Sequence, residues 1–156
     1  QVFSNNRIAH FREEQSNFTE GGTFTNGAWR TRTLNATSGD TSFSSLSSNK
    51  VSITQTGTYR GRGRTPAYGV QKHKCRLRRT GQTSGSDTDL VIGSNEQANA
   101  AVQCDSKFDT IITLTSGDEL ELQHRCQTSY STYGYGWSSN FGTIEVFSEL
   151  WIERLN

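Results

Sequence analysis

Gly117-Asp118-Glu119-Leu120-Glu121-Leu122-Gln123-His124-Arg125-Cys126 decides the fold class. Leu120, Leu122, His124 and Cys126 fall on one side of an extended chain, and Glu119, Glu121, Gln123 and Arg125 on the other. Successive side chains of a strand point to opposite faces, so this is a half-buried strand with one face on a core. Ser116-Gly117-Asp118 ahead of it is a turn signal. The same period recurs on either side. His73, Cys75 and Leu77 face one way, while Lys74, Arg76 and Arg78 face water. In the last stretch, Ile144, Val146, Leu150 and Ile152 share a face, opposite Glu145, Phe147, Glu149, Trp151 and Glu153. Apolar residues on both faces imply that one meets the core and the other meets another chain.

Strands are expected over 7–13, 27–34, 50–55, 58–65, 71–79, 98–105, 108–115, 119–128 and 142–154. Turn signals separate them at Asn26-Gly27, Thr56-Gly57 and Ser84-Gly85-Ser86-Asp87. No helical apolar stripe competes. The expectation is an all-β, two-sheet antiparallel sandwich or jelly roll.

The chain has 156 residues, the size of one domain, so a single domain over 1–156 is expected, with 1–20 as an extended lead-in from a larger chain. Only 31% is hydrophobic and Ser plus Thr make up about a quarter. Eight Phe, five Tyr and three Trp supply the core. No run approaches the roughly 18 apolar residues of a membrane helix, and the net charge of +1 argues against a strongly basic nucleic-acid binder. The absence of Met is expected of a processed product or a fragment. Asn17-Phe18-Thr19 and Asn35-Ala36-Thr37 are sequons of a kind that a Thr- and Asn-rich chain also produces by chance.

Three signatures carry a resemblance: Gly57-Thr58-Tyr59, the Gly117–Gln123 stretch, and Asn140-Phe141-Gly142 with Leu150. This pattern resembles complement-type globular heads and the tumour necrosis factor superfamily. Gly21-Gly22-Thr23-Phe24, Gly27-Ala28-Trp29-Arg30-Thr31-Arg32, Pro66-Ala67-Tyr68, Gln123-His124-Arg125-Cys126 and Asn140-Phe141-Gly142 look more closely like trimeric heads of marine bacteriophage tail-fibre proteins. The resemblance covers about residues 5–156 and implies a ten-strand jelly roll assembled as a homotrimer. Its topology places the strand of Arg60, Arg62 and Arg64 beside the last strand, near the threefold axis. These arginines are then expected to pair with Glu145, Glu149 and Glu153 at a trimer interface that includes Phe147 and Trp151. A solvated face and a small nucleic-acid footprint are the alternatives.

His73 and Cys75, like His124 and Cys126, sit two apart, on strands that the implied topology makes neighbours. A satisfied near-core cluster, a Cys75–Cys104 cross-strand disulfide and a zinc site are the readings open here. His10, His73 and His124 have no nucleophile signature beside them, so no catalysis and no cofactor are expected. Asp87/Asp89 and Asp105/Asp109 lack an EF-hand spacing and read as solvated loops rather than a calcium site.

In Tyr130-Ser131-Thr132-Tyr133-Gly134-Tyr135-Gly136-Trp137, rigid aromatic faces alternate with hydroxyls and glycines, the composition of adaptable binding loops. Tyr130, Tyr133, Tyr135 and Trp137 are the ligand-binding candidates, with the loop 82–89 as a further contact; packing on a neighbouring subunit is the alternative. The function expected is a trimeric, non-enzymatic recognition module, extracellular or on a virion surface. It would bind cell-surface glycans or receptors, with neither nucleic acid nor membrane insertion. A structural virion protein is the alternative.

Overall fold

The computed structural model describes residues 7–81 and 87–156. Residues 82–86, which carry most of one expected turn and part of the expected contact loop, lie outside them. Twelve strands form among the described residues: β1 (Ile8–Gln15), β2 (Arg30–Thr31), β3 (Ala36–Gly39), β4 (Ser44–Ser47), β5 (Lys50–Ile53), β6 (Gly57–Tyr68), β7 (Gln71–Thr80), β8 (Thr88–Ile92), β9 (Glu96–Ala98), β10 (Gln103–Leu114), β11 (Glu119–Cys126) and β12 (Glu145–Arg154). They make two antiparallel sheets. One runs β10-β6-β12-β1-β3; the other runs β4-β5-β11-β7-β8, with β2 added on β11 and β9 on β7. First and last strands are thus neighbours in one sheet, and most consecutive strands cross between sheets, as in a jelly roll.

Phe11, Leu34, Phe43, Tyr59, Leu77, Leu114, Leu120, Leu122, Leu150 and Ile152 fill the space between the sheets. A second, smaller cluster of Phe24, Ala67, Val70, Ala98 and Cys126 closes one end, with Tyr130 and Tyr135 packed on it. The expected strand at 98–105 splits. Asn99–Val102 is a turn in which Val102 N–H donates to Asn99 O, and Ala101 takes φ 63°. The short strands β3, β4 and β8 carry too little alternation to be read from sequence.

Alternation explains the Arg-Gly repeat. Gly61 and Gly63 of β6 point inward and Arg60, Arg62 and Arg64 outward. A Cβ on Gly63 would stand 2.5 Å from the Phe108 ring, so glycine makes room for a core aromatic. The repeat is therefore a strand with a packed inner face.

The last strand corrects one expectation. Arg12 pairs with Glu149 but Glu14 pairs with Val146, so β12 carries one extra residue, a β-bulge at Phe147-Ser148. The bulge shifts the alternation by one. Glu145 and Phe147 turn inward, Phe147 to 2% exposure, while Ile144 and Val146 turn to solvent. Beyond the bulge the expected phase holds, with Leu150 and Ile152 inside and Glu149, Trp151 and Glu153 outside. Glu145 and Phe147 are therefore not part of an outward face. Glu145 instead accepts N–H bonds from Phe18, Ser139 and Asn140, which hold its carboxyl below the usual carboxylate range.

Candidate binding surfaces

At the end closed by the small core, residues 130–137 lie flat across the sandwich. Phe24 and Tyr130 exchange both backbone hydrogen bonds, Gly22 O accepts from Tyr135 N, and Gly134 O accepts from Tyr68 N. Gly134 is required for this approach, since a Cβ there would meet Tyr130 O at 2.5 Å and Phe24 N at 2.7 Å. The loop brings Tyr130, Tyr133 and Trp137 around Tyr68, with ring centroids 5.3, 6.0 and 5.0 Å from it. Tyr133 and Trp137 are 5.0 Å apart. Tyr68 is buried, Tyr130 and Tyr133 are half-buried, and Trp137 is 49% exposed. Trp137 N–H donates to Gln103 Oε1 at 2.7 Å, fixing its backbone. Edge-to-face packing of this kind holds ring orientation at low entropic cost.

Tyr135 separates from this group. It stacks on Phe24 at 4.4 Å and lies under the Arg32 guanidinium at 4.3 Å, facing the interior. Burial pushes its hydroxyl up. Of the four ligand candidates read from sequence, three line the cluster, Tyr135 supports it from below, and Tyr68 joins it. Tyr68 ends the long strand β6, far from the loop in sequence, and nothing in its local context marks it.

Beneath the loop runs a buried polar chain. Arg32, 1% exposed, donates to Pro66 O at 2.7 Å, to Tyr135 O at 2.9 Å and to His124 Nδ1 at 3.0 Å. Glu13 Oε1 lies 3.6 Å away as its counter-charge. A guanidinium only donates, so His124 Nδ1 must accept and its Nε2 carries the proton. That Nε2–H donates to His73 Nδ1 at 2.8 Å, and His73 Nε2–H donates to Cys104 Sγ at 3.3 Å. Burial lowers the pKa of both histidines, His73 to about 4.

The outer face of the five-stranded sheet is the second surface. His10 stacks on Trp151 at 4.6 Å, and Arg62 lies over the same ring at 5.4 Å. Glu149 accepts from His10 at 3.0 Å and from Arg64 at 2.5 Å. Arg64 also reaches Asp105 at 3.2 Å, and Arg60 pairs with Asp109 at 2.6 Å. Only Arg64 finds one of the expected glutamates. Arg60 stands opposite Glu153 in register but bonds Asp109 of β10, the neighbour of β6 on its other side. Asp89 likewise pairs with Arg76 and Arg78, so of the four aspartates read as solvated loops three, Asp89, Asp105 and Asp109, are bound in bridges.

No protein-family model matches this chain and no curated protein matches it. Solved structures do. The crystal structure of murine APRIL at pH 5.0 superposes with a TM-score of 0.65 at 11% identity, covering 96% of this chain and 99% of that one. Eiger TNF from S. frugiperda gives 0.63 at 12% identity, with 97% and 93% covered. The globular domain of zebrafish complement 1qA gives 0.57 at 11%, with 97% and 98% covered. The fold is the tumour necrosis factor-like jelly roll.

In this jelly roll the cysteines stand apart. Cys126 pairs in register with His73, and Cys75 with His124, as the neighbouring strands require. Cys104 instead lies on β10 in the opposite sheet. All three thiols are free. The Cys75–Cys104 disulfide does not form because Ser106, two residues on, faces Cys75: its Oγ lies 3.3 Å from Cys75 Sγ and accepts from Cys75 N. Among the described residues no three His, Cys, Asp or Glu side chains are placed to hold one metal ion; His124, His73 and Cys104 bond one another in a chain instead.

Proposed function

We propose that this jelly roll is a homotrimeric, non-enzymatic recognition module, displayed outside cells or on a virion, that binds a cell-surface glycan or receptor. The observation that carries the reading is the aromatic cluster. Tyr133 and Trp137 expose ring faces on a loop tied at both ends and seated on buried Tyr68. Preorganised aromatic faces cost little entropy on binding and stack on sugar rings. Weak single sites suit a trimer, in which linked copies gain avidity on a patterned surface. The outer face of the five-stranded sheet, with Trp151, Arg62 and 67% exposed Ile111, is the subunit contact. This arrangement also fits the look of a tail-fibre head. A glycan array tests it: signal on the wild-type chain, lost in Tyr133→Ala and Trp137→Ala with mass in solution unchanged.

A structural role in a larger assembly is the second reading, favoured by one feature. Phe18 (64% exposed), Phe141 (85%) and Ile144 (53%) crowd a tip pinned by hydrogen bonds between Asn17 and Asn140 and from Gly142 N to Asn17. A chain with no glycan signal that joins particles through Phe141 would support that reading instead.

A further inference from the structure

A cleft of about 680 Å³ opens where β7, β9 and β11 meet on the outward side of the seven-stranded sheet. Trp29, Lys72, Lys74, Asn95, Gln97 and Arg125 line it. Lys74 stands directly opposite Arg125 in register, and Lys72 is two residues along the same face. Like charges directly opposite on a sheet face repel. Elsewhere on β7 that cost is relieved: Arg76 and Arg78 share Asp89 at 3.1 and 2.5 Å, and Arg79 lies 3.7 Å from Asp118. Lys72, Lys74 and Arg125 form no such ion pair among the described residues. Among the described residues Glu96 is the one acidic residue lining the cleft; it pairs in register with inward-facing His73, so its side chain leaves the strand on the side away from Lys72 and Lys74. The Arg76 guanidinium sits 4.1 Å over the Trp29 ring while also bonded to Gln123 at 2.8 Å, which fixes the indole as a wall.

We propose that this cleft is a separate binding site for an anionic oligosaccharide carrying sulfate or carboxylate groups. Three cations against the single carboxylate of Glu96 supply the attraction, the amides of Asn95 and Gln97 can meet hydroxyls, and Trp29 supplies an apolar wall. The volume is that of small-ligand sites, roughly 300–1,000 Å³. A nucleic acid needs a longer basic track. Here Glu121 and Asp89 bound the patch on the same sheet face, which favours a compact ligand. The site stands independently of the aromatic cluster.

Calorimetry on the full chain tests it, with a heparin-derived hexasaccharide, its desulfated form and a single-stranded oligonucleotide as probes. The hexasaccharide binds, and more weakly as salt rises. Lys72→Gln/Lys74→Gln, and separately Arg125→Gln, weaken binding by about tenfold or more, the scale of one charge-assisted contact. Lys107→Gln on the other sheet and Tyr133→Ala/Trp137→Ala leave it unchanged. Binding kept by the desulfated sugar assigns the carboxylates as the ligand groups, and binding lost assigns the sulfates. No hexasaccharide binding, wild-type affinity in both cleft variants, or equal affinity for the oligonucleotide overturns the proposal.

Discussion

His124 donates from Nε2 to Nδ1 of His73 across 2.8 Å in a buried site, and burial favours the neutral form of both rings. The contact joins the two sheets' polar interior, from Glu13 and Arg32 through the histidines to Cys104. It also sits directly under the aromatic loop, because Arg32 holds Tyr135 O and Phe24 packs 4.6 Å from His124.

Acid therefore weakens the fold before its carboxylates titrate. Burial lowers both folded-state histidine pKa values below 6.5, His73 to about 4. The stability these groups contribute is complete above pH 6.5 and is lost as pH falls, because the unfolded chain takes up protons that the native chain refuses. By pH 4 the loss from His73 alone is about 3 kcal/mol. Melting temperature between pH 7 and 4.5 is the readout. It falls steeply in the wild type and more gently in His73→Gln.

Arg32→Met leaves Pro66 O, Tyr135 O and the Glu13 carboxylate without their donor. Breaking a buried pair in this way costs about 3–5 kcal/mol. Urea denaturation gives the magnitude. Near-UV circular dichroism reports the accompanying loss of order around Tyr135.

Gly134→Ala places a Cβ against two backbone atoms that cannot yield cheaply. The expected cost is about 1–3 kcal/mol, the range for overpacking. Fluorescence of Trp137 should shift while the rest of the sandwich keeps its far-UV spectrum.

How far the sequence discloses this arrangement depends on the residue. The alternation of Leu120, Leu122, His124 and Cys126 faithfully reports β11, since one face of that strand is core and the other, Glu121 apart, reaches solvent. The same rule fails at Phe147, where a bulge adds one residue and inverts the faces of Glu145 and Phe147. A bulge leaves no trace in hydropathy. Trp137 and Tyr133 are visible as a composition, but their platform, Tyr68, is brought in by the sheet. Arg32 reads as one more charge in a strand, and only the three-dimensional meeting of β2's flank with β11 and the loop buries it.

Thiol labelling of the native chain should show one fast and two slow groups. Cys104 is half-buried, whereas Cys75 and Cys126 are buried; burial raises all three thiol pKa values, Cys126 to about 11, so the exposure of Cys104 sets the order. The thiolate is the reactive form, so burial and a raised pKa act in the same direction. Cys104→Ser removes the fast phase and leaves the slow ones.

Light scattering across a dilution series tests whether the outer face of the five-stranded sheet joins three copies. The expected mass is near three times 17.4 kDa at every concentration, falling toward 17.4 kDa in Arg62→Glu, which sets a carboxylate over Trp151 beside Glu149. A wild-type chain that stays at 17.4 kDa throughout would contradict it.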